Sequence, residues 1–153
     1  MNKLARIKEW YLKDDWWHFI IGLTLIYMLG LILELTGLWW TMIIAAAIGG
    51  AIIKHGGKAI IAGFVGVFFV WGSYFLSFLS LGYSNPFLFI NFLNLIGSVI
   101  GINGGVLIFI SLLIGGLVGV IGSVNAAYLA QIIIKITLKE EIETKKSLSI
   151  KTK

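Results

Sequence analysis

Cysteine is absent from the 153 residues, which excludes disulfides, thiolate chemistry and cysteine-based metal sites. Charge is scarce: Asp, Glu, Lys and Arg make up 12% of the chain, against 59% hydrophobic residues. With a mean hydropathy of +0.98, an ordinary soluble domain is excluded as well, because such a chain has too little polar material to cover its surface. Proline occurs once, at Pro86, so the long apolar stretches carry no internal helix breaker. Histidine occurs twice, at His18 and His55, in no metal-binding spacing. Paired carboxylates, a glycine-rich phosphate loop and a nucleophile motif are all missing. Enzymatic activity, a metal and a cofactor are therefore not expected.

What is present is a series of apolar segments separated by short polar turns. Four read as membrane-spanning helices, at residues 16–36, 38–53, 59–81 and 106–134. The first is followed at once by another span, not by a small-residue cleavage site, and is read as a span instead of a secretory signal peptide. Trp16 and Trp17 mark one of its ends and Trp39 and Trp40 the other, as aromatic belts do. Trp17 to Trp39 covers about 33 Å of helix, close to a hydrocarbon core of about 30 Å. Gly37 suits the helix terminus and tight turn between the first two spans. The second span is short, at about 24 Å, and snorkelling by Lys54 would help it reach the interface. Residues 87–100 are apolar but too short to cross, and carry Asn91 and Asn94; they read as an interfacial or re-entrant segment.

The basic residues decide the number of crossings. All 12 Lys and Arg fall within residues 1–15, 54–58 and 135–153. Four spans put these three places on one side of the membrane. A fifth would send Lys135, Lys139, Lys145, Lys146, Lys151 and Lys153 across. The positive-inside rule selects four, with both termini cytoplasmic. Residues 1–15 have the spacing of an amphipathic surface helix and equally that of a solvated basic lead-in. Residues 1–143 make a single polytopic domain, with 144–153 a short disordered cytoplasmic tail. The net charge of +5 thus has a topological explanation, and no nucleic-acid partner is expected.

Small residues carry the packing pattern. In the last span Gly115, Gly119, Gly122 and Ala126 recur at spacings of three and four, which places them on one face. Gly49 in the second span and Gly63 and Gly66 in the third belong to similar faces. Lipid tails are as apolar as leucine, so helices in a bilayer associate through dispersion at such close approaches. The last span is expected to be the one around which the others pack. Trp71, near the middle of its span, is expected to lie on a neighbouring glycine.

Few polar groups lie in the spans. Glu34 is the only acid there, and burying one near the bilayer centre costs about 2.5–3.5 kcal/mol. It lies about a turn from the Trp39–Trp40 belt, within reach of headgroups. Asn125 and Gln131 suit hydrogen bonds between helices. Asn91, Asn94 and Asn103 fit a re-entrant filter or a wetted surface helix. Lys54 and Lys58, flanking two glycines, fit either an ordinary cytoplasmic turn or a site for a lipid phosphate headgroup. Asp14, Asp15 and His18 share a helical face and read as an interfacial cap. The pattern as a whole reads as a small integral membrane protein acting through helix packing, as a homo-oligomer or an accessory subunit of a membrane complex. The alternative is a small channel or transporter with Glu34 and Asn125 on its path.

Overall fold

The computed structural model describes residues 16–80 and 86–151. Every regular element among them is a helix: α1 (Trp16–Glu34), α2 (Thr41–Ile53), α3 (Gly56–Ser80), α4 (Pro86–Ile100) and α5 (Gly104–Lys151). Three helical stretches are long and apolar enough to cross a membrane: Trp16–Glu34, Gly56–Phe78 and Gly104–Thr144. They mark the chain as a membrane protein. α2 and α4 are shorter apolar helices. The lead-in at residues 1–15 lies outside the described residues.

The helix ends follow from local chemistry. α1 stops at Glu34, two residues before the expected end, where Thr36 N and Gly37 N turn back to the Leu33 and Glu34 carbonyls at 3.0 Å. Gly37 then takes a left-handed φ of +70°, which costs glycine little. Leu38 to Trp40 form a turn, not the first turn of the second helix, and Thr41 Oγ1 bonds the Leu38 carbonyl at 2.6 Å. α5 begins at an N-cap: Asn103 Oδ1 accepts the Val106 N–H at 2.9 Å. Its far end differs from expectation. Residues 144–151, expected to be a disordered tail, continue α5 as helix to Lys151. Lys and Glu are good helix formers, which favours continuation of the helix.

Packing is organised by where the chain is thin. The buried residues of α1 are His18, Gly22, Ile26 and Gly30, a stripe at strict spacing of four. Ile26, fully buried, enters a hole whose floor is Gly49 of α2 and Gly66 of α3. Gly22 lies on Ile53 and the Gly49 carbonyl, and Gly30 on Val70. On the other side α5 lays Gly119 on the Gly63 backbone, Gly122 on the Ile43 carbonyl, and the Ser123 backbone on Gly50. Trp71 rests on Gly115, and Phe64 on Gly116.

α2 and α3 therefore sit between α1 and α5, which do not pack against each other. α5 makes the most extensive contacts in the bundle, with α3 and α2, and also meets α4, so every helix but α1 packs on the last span; α3 touches all four others. α4 folds back along the start of α5 and makes a smaller contact with α3, where Phe89 stacks on Phe78 at 5.5 Å and tilts against Phe75 at 6.5 Å.

Candidate functional site

The densest polar arrangement lies where α2 turns into α3. Only Lys54 and His55 separate the two helices. His55 N bonds the Ile53 carbonyl at 2.7 Å, two residues back, and Lys54 between them has φ 64° and ψ −34°. Such an i to i+2 bond around a left-handed residue is a γ-turn, a strained conformation for a residue with a Cβ. The turn aims the Lys54 side chain inward. Lys54 is 6% exposed and His18 5%, and Lys54 Nζ lies 3.2 Å from His18 Nε2. An ammonium has donors only, so a charged Lys54 donates and Nε2 accepts. From the other side Gln131 Nε2 of α5 donates to the Lys54 carbonyl.

One lysine thus ties four helices. Its amine holds α1, its backbone closes α2 onto α3, and its carbonyl holds α5. A second tie lies deeper, where the fully buried Ser123 donates from Oγ to the Ala59 carbonyl at 2.8 Å. That bond reaches across to the first turns of α3, whose carbonyls lie open to it because the facing residues are small.

The expected site residues distribute as follows. Gly49, Gly63, Gly66, Gly115, Gly119 and Gly122 all lie where a neighbouring helix comes so close that an added Cβ would meet it. Lys54 and Lys58, the candidate headgroup pair, differ in exposure. Lys54 is turned inward and buried, and Lys58 remains half-exposed. Nor does Lys54 snorkel, because His18 offers its amine an acceptor inside the bundle. Glu34 is half-buried beside the turn at residues 35–40, with Oε2 enclosed and unbonded among the described residues. Asn125 is exposed and bonds its own helix, Nδ2 to the Ile121 carbonyl at 2.7 Å. Glu34 and Asn125 lie on the two helices that never meet.

Two of the outer asparagines are local ties: Asn94 Oδ1 accepts Gly104 N–H at 2.9 Å, and Asn103 caps α5. Asn91 is exposed. Asp14 and Asp15 lie outside the described residues. Among the described residues no group of three or more His, Cys, Asp or Glu is placed to hold a metal. The cavity between α1 and α3, bordered by Leu23, Tyr27, Met28, Gly66 and Phe69, is an open apolar groove of about 450 Å³. The His18–Lys54 contact was not anticipated from sequence. Its one signal was a histidine just inside the first aromatic belt and a lysine ending the second apolar segment.

In comparisons with protein families, curated proteins and solved structures, none matches this chain.

Proposed function

We propose that the chain is a four-crossing integral membrane protein with both termini in the cytoplasm, which acts through helix packing as a homo-oligomer or as an accessory subunit of a membrane complex. On this reading it carries out no chemistry of its own. The observation that carries the reading is the use made of the polar side chains. His18, Lys54, Gln131 and Ser123 join helices of the same chain. Glu34 and Asn125, which a conducting path would need in line, sit on helices that do not pack together.

Four crossings are supported by the course of α2. It starts beside the Trp39–Trp40 turn and ends against His18, so it travels back along most of α1. Its 13 residues cover only about 20 Å, and the turn at residues 38–40 and the γ-turn at Lys54 supply the rest. The cytoplasmic orientation rests on the lysines, which all gather at the Lys54 end or beyond it.

Three measurements test the proposal. The native particle extracted in mild detergent is expected to contain more than one polypeptide; a lone copy would overturn the packing role. Liposomes holding the purified protein are expected to pass no more protons or cations than empty ones. Robust flux abolished by Glu34→Gln would replace the proposal with a channel. Topology is checked by labelling, since the chain lacks cysteine: Lys146→Cys should be protected from an impermeant external reagent and Asn103→Cys should react.

A further inference from the structure

Asn125 and Gln131 lie less than two turns apart on α5 and are used in opposite ways. Gln131 reaches another helix of its own chain. Asn125 faces away from the bundle, and its only hydrogen bond among the described residues runs to the Ile121 carbonyl one turn behind it. That bond occupies one amide hydrogen. The second N–H and the side-chain carbonyl have no partner among the described residues, on a stripe whose other members are large and mostly apolar: Ile114, Leu117, Ile121, Tyr128 and Ile132 are 52% to 58% exposed. On the four-crossing reading Asn125 lies about 15 Å inside Lys135, within the hydrocarbon layer. Lipid tails offer an amide neither donor nor acceptor. The Tyr128 ring reaches Gly56 at the start of α3, and the residues of this face above it stay more than half exposed.

From this placement we infer that the Ile114–Ile132 face of α5 is the docking surface for a second copy of the chain, with the Asn125 amides of the two copies bonded to each other. What is left free on Asn125 is one donor and one acceptor, which is self-complementary. A two-fold axis along the membrane normal brings identical residues together at identical depth. Both amides are then satisfied at once by reciprocal N–H to O bonds. Any other partner must supply its own polar group at that depth. The flanking residues repeat at spacings of three and four, the seam that lets two helices cross at a shallow angle over many turns. The inference rests on the packing reading above and specifies the interface that reading leaves open.

The test uses full-length protein in liposomes, with single cysteines and a copper–phenanthroline oxidant. Ile121→Cys and Tyr128→Cys are expected to give disulfide-linked dimers, while Phe69→Cys, on the exposed face of α3, gives few. Adding Asn125→Leu to Ile121→Cys is expected to lower the dimer fraction severalfold, and dimer affinity on the order of tenfold, the usual range for an interhelical hydrogen bond in lipid. Asn125→Gln, which keeps donor and acceptor, is expected to retain most of the cross-link. Equal cross-linking at Phe69→Cys, or no change with Asn125→Leu, overturns the inference. A particle holding several copies that do not cross-link through α5 also overturns it, yet leaves the packing reading standing. One copy bound to a different protein through the α5 face likewise overturns it and selects the accessory-subunit form. A lone copy removes both.

Discussion

α2 and α4 are both short apolar helices, of 13 and 15 residues, yet one lies inside the bundle and the other outside it. The difference is side-chain volume. α2 presents Thr41, Met42, Ala45, Ala46, Gly49, Gly50 and Ile53 to its neighbours. That mostly small surface is wide enough to meet α1, α3 and α5 together. α4 carries Phe87, Leu88, Phe92, Leu95 and Val99, all exposed; its glycine Gly97 lies on the Ile102 carbonyl of the connecting turn, and Leu93 and Asn94 lie on Gly104 at the start of α5. In water the bulkier helix would be the better core element. In lipid, burying a leucine gains little, and backbone proximity decides instead. A short helix made of small residues is therefore held by its neighbours, whereas a short helix made of large ones is left to the bilayer.

The comparison breaks most visibly at α2. Gly50→Leu must push a side chain into the Ser123 backbone, and neither backbone can yield. The expected loss is about 3 kcal/mol or more, seen as a collapse of monodisperse protein in detergent. Gly119→Leu, against the Gly63 backbone, should behave alike, while Leu117→Ala on the exposed face should be mild. A tolerated Gly50→Leu would mean that α2 is held by something other than close approach.

The tie at the end of α2 gives a smaller and more diagnostic effect. Lys54→Met keeps the strained left-handed turn and removes the amine from His18. Lys54→Gly removes the amine too but relaxes the turn, by roughly 1 kcal/mol. The glycine variant should therefore be the more stable of the two in thermal melts, against the usual penalty for glycine. The opposite order would show that the turn is unstrained.

α4 should respond least. Asn94→Ala leaves the buried Gly104 N–H without its acceptor, at a cost of about 1–2 kcal/mol. The effect should appear as faster hydrogen exchange at the α4–α5 turn with little change in overall melting. Leu95→Ala is expected to change detergent stability by less than about 0.5 kcal/mol. A larger effect at Leu95 would show that α4 is covered, and would remove the contrast with α2.

Much of this was legible in advance, and the reasons are specific. Hydropathy over about 20 residues reports the free energy of leaving water, a local property of each segment, and it places the helices. Gly37 and the glycines at 49, 63, 66, 115, 119 and 122 were legible because only a small residue suits a reversing turn or a close crossing. The stripe of Gly22, Ile26 and Gly30 was harder to see, since a bulky residue sits between two glycines and its importance comes from the hole it fills on other helices. Lys54 was misplaced for a related reason. A lysine closing an apolar segment ordinarily reaches for the headgroups, and only the arrival of His18 beside it supplies an acceptor within.

The sequence by itself determined the solvent: a chain this apolar and this poor in charge belongs in a membrane. Tertiary structure alone decided which way each helix faces. In a soluble protein the polar side of a helix marks its outside, but here α1, α2 and α5 have no polar side, only isolated polar residues. Lipid and protein interior are equally apolar, so no periodicity in hydrophobicity separates them. Gln131 turns inward and Asn125 outward although both are amides on one helix. The facing is set by which neighbouring backbones come close enough to touch, and that is a property of pairs of helices, not of any one of them.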